Sequence, residues 1–277
     1  MLTTAPTLLL ILLSGCALMQ KTHKLFVQET TSLRPIVATR DAIQLEVVFI
    51  QRPVQDPLLG HALWNEIDQI GALSPEARDA LKRAGIRIGH IGSTPPRALQ
   101  ALLGLTSATQ TKEKRENSSQ LVDRRVTLRS GQETEIVTSF VYPACFLATN
   151  GRNSAELKEF RNARCVFRVK ANREQDGWVN LEFLPEVHHG NFSVQPTPIA
   201  AGGWQYRTTQ NIEPLFDQRF SVHLSVGEMV LITVDQTSGG SLGQHFFLGA
   251  DSDARLQRLL VVRLADMRNI DPVYAID

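Results

Sequence analysis

A chain of 277 residues is long enough for one or two domains with buried cores. Its 29 basic and 28 acidic side chains nearly balance, which argues against nucleic acid as a partner, because nucleic-acid binders carry a basic excess. The three cysteines form no Cys-x-x-Cys pair and no Cys/His cluster. The composition therefore predicts neither a metal site nor a cofactor.

The chain opens with its most apolar stretch, which runs from Leu8 to Leu13 and is followed by Ser14, Gly15 and Cys16. The run is too short for a membrane-spanning helix, which takes about 20 residues, and has the length of the apolar core of an export signal. No Lys or Arg precedes Cys16, which departs from such signals. On the residues alone, two readings stay open beside a lipid anchor: a cleavable signal with an incidental cysteine, and an apolar terminus buried in the fold.

The four residues Leu13-Ser14-Gly15-Cys16 resemble the lipobox of bacterial lipoproteins. The resemblance implies a signal peptide over residues 1–15 and a lipid on Cys16 that anchors the protein to a membrane. Ala17 stands where, in this family, an aspartate would retain the protein at the inner membrane. We therefore expect a cell-envelope protein that faces the periplasm, on the outer rather than the inner membrane, with residues 16–41 as a tether.

Residues 42–104 are predicted to form a small α/β domain. Continuous apolar residues indicate its first strand, apolar residues at helical spacing indicate its first helix, and Ser74 before Pro75 is typical of a helix start. The predicted elements are a strand over 45–50, a helix over 59–70, a helix from Pro75 to near Gly85, a strand over 86–91 and a short helix over 95–103.

Residues 105–120 have no apolar periodicity and are predicted to be a linker. Residues 121–277 are predicted to form an antiparallel β domain, because short strand-like runs alternate there with turn signals such as Asp176-Gly177. The predicted strands cover 126–128, 134–142, 165–169, 179–187, 220–226, 229–234 and 259–264, with a short helix near 155–160. The predicted fold class is thus α+β, a small N-terminal α/β domain followed by a C-terminal antiparallel β domain.

The order of turns within residues 125–265 resembles the core β domain of bacterial secretins. The matching turns are Ser130-Gly131-Gln132, Asp176-Gly177 and Val226-Gly227-Glu228, and the apolar strand over 259–264 follows them. The resemblance implies a place in an envelope assembly. Residues 239–258 lack the proline-rich lip of that family, and the predicted strands are shorter than the roughly 9–11 residues of a membrane-spanning strand. We therefore predict a secretin-like β domain without a pore, with a pore-forming multimer as the alternative.

Four further residues are candidates for a structural or binding role. Cys145 and Cys165 either form a disulfide, as an oxidising periplasm would allow, or are two small buried apolar residues. Trp204 and Tyr206 lie in a predicted polar loop, where exposed aromatic rings bind partners. The alternative, which we favour on the sequence, is that these rings pack back over the sheet.

No arrangement of residues predicts catalysis. His188 and His189 are adjacent, and neighbouring residues on a strand point to opposite faces, so they do not predict a metal site. The sequence has no Gly-x-Ser-x-Gly elbow and no phosphate-binding loop. We predict a non-catalytic structural or interaction module whose partner is an envelope protein or a second copy. The alternative is a ligand-binding or hydrolytic periplasmic lipoprotein.

Overall fold

The structure is a computed structural model that describes residues 41–105, 121–150, 155–175, 177–198, 202–235, 241–249 and 256–269. These residues all belong to one compact unit. Among them, no helix has the length and apolar character needed to cross a membrane. The predicted signal peptide, the predicted lipidation site Cys16, the predicted tether up to residue 40 and the predicted linker from residue 106 lie outside the described residues.

Strands dominate the described residues. In chain order they are β1 (Asp41–Pro53), β2 (Ile86–Ile91), β3 (Leu121–Leu128), β4 (Glu133–Val137), β5 (Tyr142–Asn150), β6 (Ala155–Gln175), β7 (Trp178–Pro198), β8 (Trp204–Pro214), β9 (Phe220–Ser225), β10 (Met229–Val234) and β11 (Leu256–Asn269). The helices are α1 (His61–Trp64), α2 (Pro75–Arg83), α3 (Arg97–Leu102) and α4 (Leu242–Phe247), with single 3₁₀ turns at Pro57–Leu59 and Phe216–Gln218.

The first sheet joins the first and the last described strands in the order β2-β10-β11-β1-β3. β1 pairs antiparallel with β11 from Asp41↔Asn269 to Pro53↔Leu256, and β2 pairs antiparallel with β10. The predicted fold class, α+β with a small α/β domain ahead of a β domain, is therefore wrong: the fold is nearly all β. Local patterns indicated the strands of this first sheet, but they do not reveal which distant strand each one pairs with.

The first sheet is buried on both faces. One face packs against the short helices through a cluster that includes Leu63, Trp64, Leu99, Leu231 and Val261. The other face packs against the second sheet in the main core. Because the middle of the sheet is covered on both faces, β10 is apolar apart from Thr233, and β1 and β11 contain the continuous apolar stretches Val47–Ile50 and Leu259–Val262.

The second sheet has the order β4-β6-β7-β8, with β5 also beside β6 and β9 also beside β7. Its centre is the hairpin of β6 and β7, which turns at Gly177 with φ of 85°. Gly177 of the predicted turn thus lies where the strands reverse, whereas Asp176 lies outside the described residues. Both strands are 21 residues long, so the prediction of short strands is wrong, as is the helix near 155–160. The parts of β6 and β7 that lie beyond the predicted strands are largely polar or solvent-exposed. They have no apolar alternation, so no local pattern indicated that they are extended.

The central hairpin divides at one end. Its ladder stops at Arg164↔His188, and beyond this pair β6 continues with β5 while β7 continues with β8. We call residues 142–150 with 155–163 the first arm, and residues 189–198 with 204–211 the second arm. The sheet therefore ends in two separate two-stranded hairpins.

Candidate interaction surface

The first arm is folded onto the body of the protein. Its side chains Cys145, Leu147 and Phe160 are buried in the main core. The Tyr142 hydroxyl lies 2.8 Å from the backbone oxygen of His245 and 3.1 Å from that of Leu248, so its single proton is shared between the two carbonyls at the end of α4. Burial raises the pKa of Tyr142, which keeps this hydroxyl a donor.

The second arm projects away from the core and is exposed on both faces. Phe192, Val194, Trp204 and Tyr206 are 62%, 65%, 68% and 73% exposed. The two aromatic rings therefore do not pack back over the sheet, which was the favoured reading of the sequence. The predicted polar loop is in fact the strand β8.

One face of the second arm is apolar and the other is polar. The register pairs Val194 with Thr208 and Pro196 with Tyr206, and paired residues project from the same face. Trp204 lies on that face two residues before Tyr206. The opposite face carries Ser193, which pairs with Thr209. The arm is thus an amphipathic hairpin whose apolar face has no cover among the described residues.

The two arms leave two strand edges open. Among the described residues, β5 pairs only with β6, and the arm portion of β8 pairs only with β7. β5 contains no charged residue. By contrast β3, at the edge of the first sheet, carries the exposed charges Asp123, Arg124 and Arg125, the usual protection against edge-to-edge pairing. The arm edge at β5 lacks that protection.

Charged groups are buried where the arms meet the body. The Glu186 carboxylate is buried and contacts the Arg168 guanidinium and, at 3.0 Å, Nε2 of His188. His189 contacts the Phe160 ring, with 4.9 Å between centroids, and burial together with Lys158 lowers its pKa. The adjacent histidines thus have unrelated partners, and the described residues contain no group of three or more metal-ligating side chains.

The two cysteines are buried free thiols. Cys145 lies opposite Phe160 on β6, five residues from Cys165 on the same strand. The two thiols are not joined in the structure, but Asn162, with φ of 49°, interrupts the extended strand between Phe160 and Cys165, so the disulfide stays a prediction. Burial raises the pKa of both thiols, as expected for unreactive packing residues.

Sequence reasoning missed several residues of this region. Phe192 lies within a strand that could not be distinguished from a loop, and Gln210 gave no signal because an isolated glutamine is common on any surface. His90 and Glu228 were also missed, with 3.2 Å between Nε2 and Oε2. That carboxylate accepts from the backbone N–H of Ser225, so the pair stabilises the β9–β10 turn rather than forming a catalytic set.

Comparisons with known proteins give structural similarities alone. No protein-family model matches the chain, and no curated protein matches it. Among solved structures, it is similar to the type II secretin GspD from enteropathogenic Escherichia coli, with 13% identity over 89% of this chain and 72% of that chain and a TM-score of 0.23.

Two further similarities are of the same kind. The pilotin–secretin AspS–GspD complex from ETEC gives 12% identity over 96% of this chain and 53% of that chain, with a TM-score of 0.24. The InvG secretin domain from the Salmonella SPI-1 injectisome gives 10% identity over 87% and 66%, with a TM-score of 0.21. The chain thus spans about half the length of the first of these and about two thirds of the second. TM-scores this low do not assign a fold.

Proposed function

We propose that the protein is a non-catalytic structural subunit of a cell-envelope assembly, and that its second arm joins it to further copies. The observation that carries this proposal is the exposed amphipathic hairpin of β7 and β8. A two-stranded hairpin is only marginally stable in water unless a further strand or a packing layer completes it. The second arm has neither among the described residues, so a partner is needed to cover it.

The open strand edges at β5 and β8 favour a second copy of the chain as the partner. The open edges at β5 and β8 lie on opposite sides of the second sheet, so β8 of one copy meets β5 of the next. Such a contact uses different surfaces on the two copies, and it repeats into a ring if the rotation closes or into a filament if it does not. Strand addition gives main-chain hydrogen bonds, and Phe146, exposed on β5, adds an apolar contact.

The proposed setting in the envelope comes from the sequence. The lipobox over Leu13–Cys16 supports a lipid anchor, and the order of turns in residues 125–265 supports a secretin-related assembly. If the anchor is present, Cys16→Ala leaves the protein outside the membrane fraction, as followed by fractionation and by mass spectrometry of the amino-terminal peptide. Unchanged membrane retention by this variant contradicts the anchor.

The self-association is tested with two copies that carry different affinity tags and are expressed together. The wild-type copies are expected to purify together. The variant Trp204→Ser/Tyr206→Ser should lower co-purification by at least about tenfold, since buried aromatic anchors carry much of the binding energy of an interface.

Trp178→Ser is the matched control. Trp178 is also an exposed aromatic residue, at 42%, but it lies at the turn end of β7, away from the second arm. It should leave co-purification unchanged. Equal recovery of the double variant and the wild type, or no co-purification of the wild type, would contradict the proposal.

A further inference from the structure

The two arms separate at a joint built from three strands. Directly above the last β6–β7 pair, Asn162 has φ of 49° and Gly190 has φ of 80°. Both angles lie in the left-handed region, which an asparagine adopts at some cost and a glycine adopts freely. A residue in that region interrupts strand pairing, which leaves backbone carbonyls on both strands without a partner in the ladder.

β8 supplies the missing donor at this joint. The β7–β8 register passes from His189↔Asn211 to Ser193↔Thr209, so three residues of β7 bulge opposite Gln210 alone. The Gln210 side chain fills the gap and is 7% exposed. Its Nε2 donates to the backbone oxygen of Asn162 at 3.0 Å and to that of Gly190 at 2.9 Å.

The two protons of one amide group thus satisfy one carbonyl from each diverging strand. We propose that Gln210 is the positioning residue that fixes the angle between the two arms, and with it the direction in which the second arm meets a partner. Hydrogen bonds in a buried site are stronger than those in water, and an unmade one leaves a carbonyl unsatisfied. Replacing Gln210 with a residue that cannot donate removes both hydrogen bonds at once. The three-residue bulge of β7 is then no longer held in place by this side chain.

Other contacts across the joint do not replace these bonds. Nζ of Lys158 lies 2.7 Å from the Glu213 carboxylate, but both side chains are partly exposed, and solvent weakens such pairs. Nδ2 of Asn162 donates to Oδ1 of Asn191 at 3.3 Å, also at the surface. The ring of His189 also contacts the buried Phe160 ring across the joint, but this edge contact supplies no donor to the two carbonyls; among the described residues, Gln210 makes the buried hydrogen bonds at the joint.

The test is a distance measurement between the arms. Spin labels at Leu157→Cys on the first arm and Thr208→Cys on the second report their separation by pulsed electron–electron dipolar spectroscopy. The full chain is used with Cys16, Cys145 and Cys165 replaced by alanine, and labelled protein is diluted with excess unlabelled protein so that pairs within one copy dominate. A single narrow distance is expected with Gln210 in place.

Two variants remove the donor. Gln210→Leu and Gln210→Glu should both lose the single narrow distance, because a methyl group donates no hydrogen bond and a glutamate side chain, even when protonated, has one proton and cannot donate to both carbonyls. Gln205→Leu, an exposed glutamine on the same strand, should keep it. Glu has nearly the shape of Gln, so it serves if the leucine variant fails to fold; folding is checked by circular dichroism.

A narrow distance that is unchanged in folded Gln210→Leu or Gln210→Glu would overturn the proposal. The claim that this angle matters for assembly rests on the proposed function. The claim that Gln210 fixes the distance between the two arms does not. Wild-type copies that fail to purify together would defeat the proposed function and leave the distance result standing. An unchanged distance beside normal co-purification would defeat only the role of Gln210.

Discussion

Gly243 shows how closely α4 packs against the first sheet. A β-carbon at this position would lie 1.9 Å from the backbone oxygen of Gly85, and the Gly243 N–H donates to the backbone oxygen of Ala84 at 2.9 Å. This approach lets Phe246 and Phe247 enter the core with no exposed surface. One missing side chain therefore decides whether α4 can pack against the sheet.

We expect Gly243→Ala to lower the free energy of unfolding by about 2 kcal/mol or more, as overpacking at a backbone contact does. Backbone on both sides must move to admit the methyl group. Gly92→Ala is the matched control, because a β-carbon there meets nothing within 4 Å. Urea unfolding followed by tryptophan fluorescence measures both variants, and equal midpoints would contradict the packing described for α4.

Elements with strong local signals were predicted well from the sequence. α2 begins at Pro75 with Ser74 as its N-cap, whose hydroxyl accepts from the Ala77 N–H at 3.3 Å. In β9, Phe220, Val222 and Leu224 are buried as the alternation predicted. Capping residues and a period of two act within a few residues, so they can be recognised without knowing the rest of the fold.

The helix predicted over 59–70 is wrong in its extent. The chain forms a 3₁₀ turn and the four-residue α1 there, although Leu59, Leu63 and Ile67 are still buried at the predicted spacing. Packing against the first sheet sets their positions, and a regular helix is not required. Ile70, the last residue of the predicted face, is exposed, because the chain has already turned away.

The arms could not be predicted because their strands meet different neighbours along their length. β6 lies beside β4 near the body and beside β5 in the first arm. Burial changes with the neighbour, so no single period describes the whole strand. For the candidate site, Trp204 and Tyr206 were identified as aromatic candidates, whereas the bulge at Gln210 depends on a register that only the folded sheet defines.

At the scale of the whole molecule, the two sheets pack into a well-buried body, and the second arm extends from it without a packing partner among the described residues. The first sheet is covered on both faces, and its β3 edge carries charges that discourage pairing. The second arm has an apolar face and an open edge without a cover among the described residues. This asymmetry is what a subunit needs if its body is stable alone and its arms make the contacts with further copies.

The most direct test is the native mass of the full chain extracted from its own membranes in mild detergent, measured by light scattering after size exclusion. The 277-residue chain has a mass of 30.8 kDa, and removal of the predicted signal peptide leaves a slightly smaller chain. Self-association through the second arm predicts a larger species whose protein mass is a multiple of the single-chain mass and contains no other chain. The protein mass of a single chain, unchanged across the concentrations used, would contradict it.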